Sequence, residues 1–178
     1  MNLANKLTLL RVFLIPFFVF FLMSNVFGDY GKWFALAVFI IASLTDMLDG
    51  QIARRKNMIT TFGKFMDPLA DKLLVCSAMI CFVALNRLEA WIVIIIIGRE
   101  FIISGFRLIA AEKGIVIAAG WWGKFKTAFQ MFAVILLIAD IDKLWLLTQI
   151  MVYTALALTI ISLVDYLVKN RDVMKDVK

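Results

Sequence analysis

The stretch "DMLDGQIARRKNMITTFGKFMDPLAD", residues 46–71, carries four aspartates between two apolar runs. The flanking runs cover residues 33–48 and 69–85, so the stretch is predicted to connect two membrane-spanning helices. Charged side chains close to hydrocarbon are unfavourable unless they are hydrated, paired or bound to a cation. The four aspartates therefore either cap and solvate helix ends, or they hold a positively charged ligand.

Apolar runs recur along the whole chain of 178 residues, of which 63% are hydrophobic, against about 45–50% in soluble domains. A helix that spans a bilayer needs about 20 mostly apolar residues, or somewhat fewer with polar ends. We therefore predict an all-α integral membrane protein with six transmembrane helices, a short amphipathic N-terminal segment and a single membrane domain over residues 1–178. No small-residue cleavage site follows the first run, so a cleaved signal peptide is not expected. The six runs are residues 7–23, 33–48, 69–85, 91–103, 127–139 and 144–164.

The distribution of basic residues predicts the orientation of the chain. With six spans, both termini share one side of the membrane with residues 46–71 and 110–126. The opposite side holds Lys32, Arg87 and Lys143, and the other 16 of the 19 Lys and Arg residues belong to the first side. The positive-inside rule therefore places both termini and the aspartate stretch at the cytoplasmic face.

The remaining composition excludes several kinds of chemistry. The chain has no histidine, which removes the commonest general base and any His-ligated zinc site. Cys76 and Cys81 lie in an apolar run and are expected to be small buried side chains, since a metal site would need more ligands. The net charge of +6 fits the cytoplasmic bias and anionic headgroups. We therefore expect membrane lipids, and no nucleic acid, as partners.

The spacing of the aspartates fits two helices. Asp67 and Asp71 are four residues apart, which puts them on one face of the second helix. Pro68 favours the first position of a helix, so Asp67 could instead be its N-cap. Four carboxylates can thus converge, although any single one could be a cap or an interfacial charge. On the first helix, one face combines two carboxylates with two positions that have little or no side chain: Asp46, Asp49, Gly50 and Ala53.

Clustered carboxylates near a low dielectric repel one another unless a cation neutralises them. Oxygen ligands without histidine or thiolate select a hard ion, Mg2+ or Mn2+. Four carboxylates could hold two such ions close together, an arrangement suited to phosphoryl transfer. A divalent-cation transporter would also place aspartates in a membrane. Transporter sites usually lie at mid-bilayer, however, and not beside a basic hairpin such as residues 54–56.

Residues 46–71 resemble the full signature of the CDP-alcohol phosphatidyltransferase family. The resemblance implies six transmembrane helices, usually a homodimer, and a two-metal site at the cytoplasmic surface. It also implies the reaction, in which an alcohol displaces CMP from a CDP-linked lipid. An inactive scaffold would be expected to have lost an aspartate, and none is missing. The signature reads Asp46-x2-Asp49-Gly50-x2-Ala53-Arg54-x8-Gly63-x3-Asp67-x3-Asp71.

The same resemblance implies roles for individual residues. Asp46, Asp49 and Asp67 match metal ligands, and Asp71 matches the residue proposed to deprotonate the attacking hydroxyl, close to the metals. Asn5 and Thr8 are three residues apart on one helical face and could contact the diphosphate, with surface capping as the alternative. The residues that would line the CDP-diacylglycerol pocket are Gly50, Ala53, Arg54 and Gly63.

Segments outside the aspartate stretch narrow the choice of acceptor. They resemble the bacterial phosphatidylglycerophosphate synthases, a branch of the family. That resemblance implies CDP-diacylglycerol and sn-glycerol 3-phosphate as substrates, phosphatidylglycerophosphate and CMP as products, and a bacterial plasma membrane. The alternative is a family member with another acceptor: inositol phosphate, serine or phosphatidylglycerol. The segments are "NKLTLLR", "GREFIISGFRL", "AAEKG", "GKFKT" and "DYLVKNRDV".

Arg99, Arg107 and Lys126 are the candidates for binding the phosphate of glycerol 3-phosphate. Cations within or at the end of apolar runs mark functional sites, and arginine binds phosphate through paired donors. Arg99 and Arg107 are about 12 Å and about 80° apart on a helix. They could therefore flank a phosphate, but they could not form one tight clamp alone. The alternatives are an ion pair of Arg99 with Glu100 or Asp165, and a Lys124 or Lys126 side chain that reaches the headgroups.

Overall fold

The structure is a computed structural model with six α-helices. It describes residues 3–55, 61–112, 114, 117 and 120–171, and the side chains of residues 3–7, 25, 46–55, 61–68 and 71 lie outside that description. In the described ranges there is no β-strand. The helices are α1 (Leu3–Met23), α2 (Gly31–Arg55), α3 (Thr61–Ala84), α4 (Ala90–Glu112), α5 (Trp121–Ala139) and α6 (Trp145–Lys169), with 3-10 turns at Asn25–Tyr30 and Asp142–Leu144.

Each apolar run lies inside one helix, apart from residues 85 and 144, so the prediction of six helices is confirmed. α1 begins at Leu3, and the predicted N-terminal segment is therefore its first part. Shorter apolar segments occupy Thr8–Met23 and Lys72–Ala84. Among the described residues, three segments are long and apolar enough to cross a membrane, by length and composition: Val26–Thr45, Trp121–Ala139 and Asp142–Lys169.

The charges in α4 explain why its composition does not mark it as a span. The helix has 23 residues, most of them apolar, but it carries Arg99, Glu100 and Arg107. Charged side chains in a spanning helix are unfavourable unless the protein pairs them or uses them. Six crossings with both termini on one side therefore stay a prediction.

One expectation about α3 is wrong. The sequence favoured Pro68 at the first position of this helix and left Asp67 as a possible N-cap, but α3 begins at Thr61 and both positions lie inside it. Proline within a helix leaves one backbone carbonyl without its usual partner, and such a defect is tolerated in membrane helices because neighbouring groups can satisfy it. Asp67 is therefore not the N-cap of α3.

The chain divides into two compact units. Unit 1 comprises Met1–Arg87 and Leu137–Asp140, and unit 2 comprises Leu88–Leu136 and Ile141–Lys178. The last three residues of α5 belong to unit 1 and the rest of that helix to unit 2. The units therefore interleave along the sequence, and the single domain over residues 1–178 stays a prediction.

In unit 1, α1 packs against α2 and α3, and α2 also contacts α3. Buried positions on α2 recur every three or four residues, as one helix face requires, and include Ala35, Phe39 and Ala42. Phe39 meets the fully buried Phe18 of α1 with ring centroids 5.8 Å apart. The small alanines let the helices approach closely, which is how helices pack without a hydrophobic drive from water.

An ion cluster closes the end of unit 1 where α2 begins and α3 and α5 end. Arg87 Nη2 lies 2.6 Å from Asp140 Oδ2, and Arg87 Nη1 donates to the Leu137 carbonyl at 3.1 Å. Lys32 Nζ donates to the Asp140 carbonyl at 3.1 Å. We call Lys32, Arg87 and Asp140 the Arg87 cluster. It joins two of the three basic residues that the sequence assigns to the external side.

In unit 2, α4 packs against α6. Polar side chains in the apolar α6 are satisfied within the helix: the Thr159 hydroxyl donates to the Ala155 carbonyl at 2.7 Å, and the Ser162 hydroxyl donates to the Thr159 carbonyl at 3.0 Å. Phe106 of α4 meets Tyr166 of α6 with ring centroids 6.1 Å apart. This packing brings the charged side chains of α4 against the polar side chains of α6.

Candidate active site

The four predicted metal ligands lie on two helices of unit 1 that contact each other. Asp46 and Asp49 are in α2, and Asp67 and Asp71 are in α3. Their side chains lie outside the described part of the structure, so their predicted roles stay predictions. The same holds for the predicted CDP-diacylglycerol contacts Asn5, Gly50, Ala53, Arg54 and Gly63.

The helix bounds place the four aspartate positions at two distances from the connection between α2 and α3. Five residues join α2 to α3, and helices joined by so short a connection run antiparallel. Asp49 lies six residues before the end of α2 and Asp67 six residues after the start of α3, each about 9 Å along its helix from the connection. Asp46 and Asp71 lie nine and ten residues from it, or about 14–15 Å. The helix bounds thus place positions 49 and 67 at one level of the backbone, and positions 46 and 71 at another.

The donor set of this hairpin fits hard divalent ions, because it consists of carboxylate oxygens only. Among the side chains that the structure describes, no three His, Cys, Asp or Glu residues lie together as a metal site would require. That set does not include the four aspartates of the hairpin. The predicted metal site at these four aspartates therefore stays a prediction.

Thr8 and Arg11 are fully buried on α1, which packs against both helices that carry the aspartates. The burial of Thr8 is at odds with a cap at the surface, and its contact with the diphosphate stays a prediction. Arg11 did not stand out in the sequence as a site residue. The available signal was an arginine inside an apolar run, which is a functional-site indicator in membrane helices.

A buried ion cluster in unit 2 joins α4, α5 and α6. Arg99 is 8% exposed and Lys126 is 1% exposed. Arg99 Nη1 donates to Glu100 Oε1 at 2.9 Å, and Lys126 Nζ donates to the same oxygen. Arg99 Nε donates to Ser162 Oγ at 3.2 Å. We call Arg99, Glu100, Lys126 and Ser162 the Glu100 cluster.

These ion pairs decide between the alternatives that the sequence left open for Arg99 and Lys126. Arg99 does pair with Glu100, whereas Asp165 pairs with Lys169 at 2.7 Å. Lys126 is buried against Glu100, so the alternative in which it extends to the headgroups is wrong for this side chain. The Glu100 carboxylate holds both cations inside the protein, because a buried charge is tolerated only when it is paired and hydrogen-bonded.

Among the described residues, the Glu100 cluster contains two cations and one carboxylate. Within the described residues, Ser162 and Glu100 engage Arg99 through Nε and Nη1 and leave Nη2 without a hydrogen-bond partner. Nη2 faces α5, where a Cβ built on Gly123 would lie 3.4 Å from it. The cluster therefore presents one guanidinium donor to an anion.

Arg107 is not part of the Glu100 cluster. It is exposed, and its guanidinium carbon lies 5.9 Å from the centre of the Tyr166 ring, an arrangement that favours a cation–π contact. The Tyr166 hydroxyl is buried and has no hydrogen-bond partner among the described residues. A buried hydroxyl of this kind requires an explanation, such as a water or a ligand. Of the three residues predicted to bind the acceptor phosphate, Arg99 and Lys126 belong to the Glu100 cluster and Arg107 contacts Tyr166 instead.

Sequence reasoning missed two of the residues around Arg99, Gly123 and Ser162. Glu100 was named from the sequence as a possible ion-pair partner of Arg99, because intramembrane charges pair with one another. Gly123 begins the segment "GKFKT", but only the packing of α4 against α5 shows what it faces. Ser162 gave no signal, because a serine in an apolar helix usually bonds to its own backbone, as it also does here.

Apolar helices long enough to cross a bilayer, with charged residues paired inside the helical packing, define a helical membrane protein. A model of the CDP-alcohol phosphatidyltransferase family matches residues 1–161, and the chain belongs to this family. Members of the family generally depend on a divalent metal ion. The predicted family is therefore confirmed.

Relatives of known name match nearly the whole chain. The CDP-diacylglycerol–glycerol-3-phosphate 3-phosphatidyltransferase of Bacillus subtilis is 40% identical, over 98% of this chain and 97% of its own length. The protein of the same name from Haemophilus influenzae is 40% identical, over 93% of this chain and 91% of its own. The probable phosphatidylglycerophosphate synthase of Mycobacterium tuberculosis is 38% identical, over 94% of this chain and 81% of its own. The likeness to phosphatidylglycerophosphate synthases is confirmed.

Proposed function

We propose that this protein transfers the phosphatidyl group of CDP-diacylglycerol to sn-glycerol 3-phosphate and releases phosphatidylglycerophosphate and CMP. The observation that carries the proposal is the 40% identity, over almost the full length of both chains, to a Bacillus subtilis enzyme whose name states both substrates. The Glu100 cluster supports it, because a buried arginine with one donor not engaged by the described residues suits an acceptor that bears a phosphate.

The steps of the reaction are assigned to residues of the aspartate hairpin, by which we mean α2 and α3 with Asp46, Asp49, Asp67 and Asp71. Asp46, Asp49, Asp67 and Asp71 would hold two Mg2+ or Mn2+ ions, which supply charge neutralisation at the diphosphate and at the departing CMP. Asp71 accepts the proton of the acceptor hydroxyl. The hydroxyl oxygen forms the new bond to phosphorus as the bond to CMP breaks. The residues that would bind CDP-diacylglycerol are Asn5, Thr8, Gly50, Ala53, Arg54 and Gly63.

The acceptor phosphate is assigned to the cations of unit 2. Arg99 has the strongest support, since one of its donors is not engaged by the described residues. Lys126 contributes charge from its buried position beside Glu100. Arg107 adds an exposed guanidinium on the same helix as Arg99, held against Tyr166.

We also propose that the protein lies in a bacterial plasma membrane with the aspartate hairpin at the cytoplasmic face. The 16-to-3 distribution of basic residues supports this orientation. In a variant without native cysteines, a membrane-impermeant thiol reagent should label a cysteine at position 142 in intact cells, and one at position 112 only after permeabilisation. The reverse pattern would contradict the orientation. A homodimer, and the expectation of no nucleic-acid partner, stay predictions.

The test of the function is a panel of acceptors. Purified protein in detergent receives CDP-diacylglycerol, a divalent metal and one of four acceptors: glycerol 3-phosphate, inositol phosphate, serine or phosphatidylglycerol. We expect phosphatidylglycerophosphate, identified by mass, and CMP release with glycerol 3-phosphate alone. Product with another acceptor and none with glycerol 3-phosphate would move the protein to a different branch of its family. Absence of CMP release with every acceptor would contradict the transferase itself.

A further inference from the structure

Glu100 uses one carboxylate oxygen to bind Arg99 and Lys126 at the same time. We propose that Glu100 is a positioning residue: it orients Arg99 so that Nη2 meets the phosphate of the acceptor in the space left open by Gly123. The proposal rests on the proposed function, because it takes the acceptor phosphate as the ligand.

The orientation of Arg99 is fixed by two contacts on different nitrogens. Ser162 Oγ lies 3.2 Å from Nε, and Glu100 Oε1 lies 2.9 Å from Nη1. A guanidinium is planar and rigid, so two such contacts also set the direction of the third nitrogen. Because Arg99 is almost completely buried, it has little room for another rotamer. If the Glu100 contact were lost, only the contact of Nε with Ser162 would fix the orientation of the guanidinium plane.

Gly123 keeps the approach to Nη2 open. A methyl group at this position would lie 3.4 Å from Nη2, which is ordinary van der Waals contact. An alanine would therefore fit without displacing Arg99. It would nevertheless occupy the space that a phosphate oxygen needs to reach about 2.7–2.9 Å from Nη2. Glycine at position 123 thus determines whether the donor is accessible.

Two roles for Glu100 predict opposite effects of removing its charge. A carboxylate that only neutralises the two cations competes with the substrate phosphate, so its removal would strengthen phosphate binding. A carboxylate that orients Arg99 supports phosphate binding, so its removal would weaken it. The direction of the change in KM for glycerol 3-phosphate decides between them.

The first arm of the test is steady-state kinetics of Glu100→Gln, with both substrates varied. We expect KM for glycerol 3-phosphate to rise by about tenfold or more, and KM for CDP-diacylglycerol to stay near the wild-type value. A lower or unchanged KM for glycerol 3-phosphate overturns the proposal. A parallel rise of both constants together with a lower thermal midpoint also overturns it, because that pattern describes a purely structural ion pair.

The second arm does not depend on removing a buried charge. Gly123→Ala is compared with Gly105→Ala, a helical glycine of α4 at which an added Cβ meets nothing within 4 Å. Both changes raise helix propensity. Only Gly123→Ala, however, adds a methyl group beside Arg99. We expect Gly123→Ala to raise KM for glycerol 3-phosphate by about tenfold, and Gly105→Ala to leave it unchanged. Equal effects of the two variants overturn the role of Gly123.

The wild-type protein separates failure of this inference from failure of the proposed function. If the wild type forms no phosphatidylglycerophosphate, the proposed function is wrong. If the wild type forms it and Glu100→Gln and Gly123→Ala keep wild-type constants for glycerol 3-phosphate, only the positioning role is wrong.

Discussion

The Arg87 cluster and the Glu100 cluster contain the same kinds of charged side chain in different surroundings. Each combines an arginine, a lysine and one carboxylate. In the Arg87 cluster the side chains of Arg87 and Asp140 are 23% and 49% exposed, so water can solvate any donor that the protein leaves unpaired. In the Glu100 cluster Arg99 and Lys126 are buried, and a donor without a partner is unfavourable.

The partners of the two arginines also differ. Arg87 bonds to the Leu137 carbonyl and to Asp140 at the end of α5, so it holds helix ends together. Arg99 bonds to side chains of α4 and α6 and keeps Nη2 towards α5. The same charged groups thus support two interpretations. We interpret the partly exposed Arg87 cluster as a structural contact between helix ends, and the buried Glu100 cluster as a binding site. The predictions below test this distinction.

The largest effect is expected from the aspartate hairpin. Asp67→Asn should lower kcat by about a hundredfold or more, because the site would lose charge that neutralises the diphosphate. A chelator should abolish turnover of the wild type, and Mg2+ or Mn2+ should restore it. Asp140→Asn, which removes the carboxylate of the Arg87 cluster, is the matched control and should retain activity. Full activity in excess chelator would contradict the metal site.

A smaller effect is expected at Arg107. Arg107→Ala should raise KM for glycerol 3-phosphate by about tenfold, the lower part of the range for a lost charged hydrogen bond, because water can reach this exposed position. KM for CDP-diacylglycerol should change far less, and Arg107→Lys should recover part of the loss. Steady-state kinetics on both substrates measure this. An equal rise of both constants, or loss of the folded protein, would make Arg107 a structural partner of Tyr166.

The smallest effect is expected at the Arg87 cluster. Arg87→Met should lower the free energy of unfolding by about 0.5–1 kcal/mol, since pairs that are partly exposed contribute little. Both Michaelis constants should keep their wild-type values. Thermal unfolding in detergent and steady-state kinetics check the two parts. A selective rise in KM for glycerol 3-phosphate would show that exposure does not separate the two clusters.

The sequence predicts the helices well and their ends less well. Runs of about 20 apolar residues have few other structures available in a membrane, because every backbone group must bond within its segment. The ends extend further than the runs: α4 continues from residue 103 to Glu112, and α3 begins at Thr61 rather than at residue 69. Polar residues can prolong a helix beyond the hydrocarbon, where periodic hydrophobicity gives no signal.

The candidate site was predictable where single residues are exceptional in their surroundings. Arg99 and Lys126 stand out as cations in apolar helices, and the pairing of Arg99 with Glu100 was one of the alternatives. That Lys126 shares the same carboxylate oxygen, and that Gly123 faces Nη2, depends on how α4 and α5 pack. Such contacts depend on side-chain directions across helices, which residue spacing alone does not supply.

The central claim is that the buried Glu100 cluster, and not the Arg87 cluster, recognises the phosphate of the acceptor. The most direct test compares Arg99→Lys with Arg87→Lys, with KM for glycerol 3-phosphate and for CDP-diacylglycerol measured on both variants. Lysine keeps the charge but cannot bond to Ser162, Glu100 and a phosphate in the same planar geometry. Arg99→Lys should raise KM for glycerol 3-phosphate alone by about ten- to a hundredfold, and Arg87→Lys should change neither constant. A wild-type KM for glycerol 3-phosphate in Arg99→Lys, or a parallel rise of both constants, would contradict the claim.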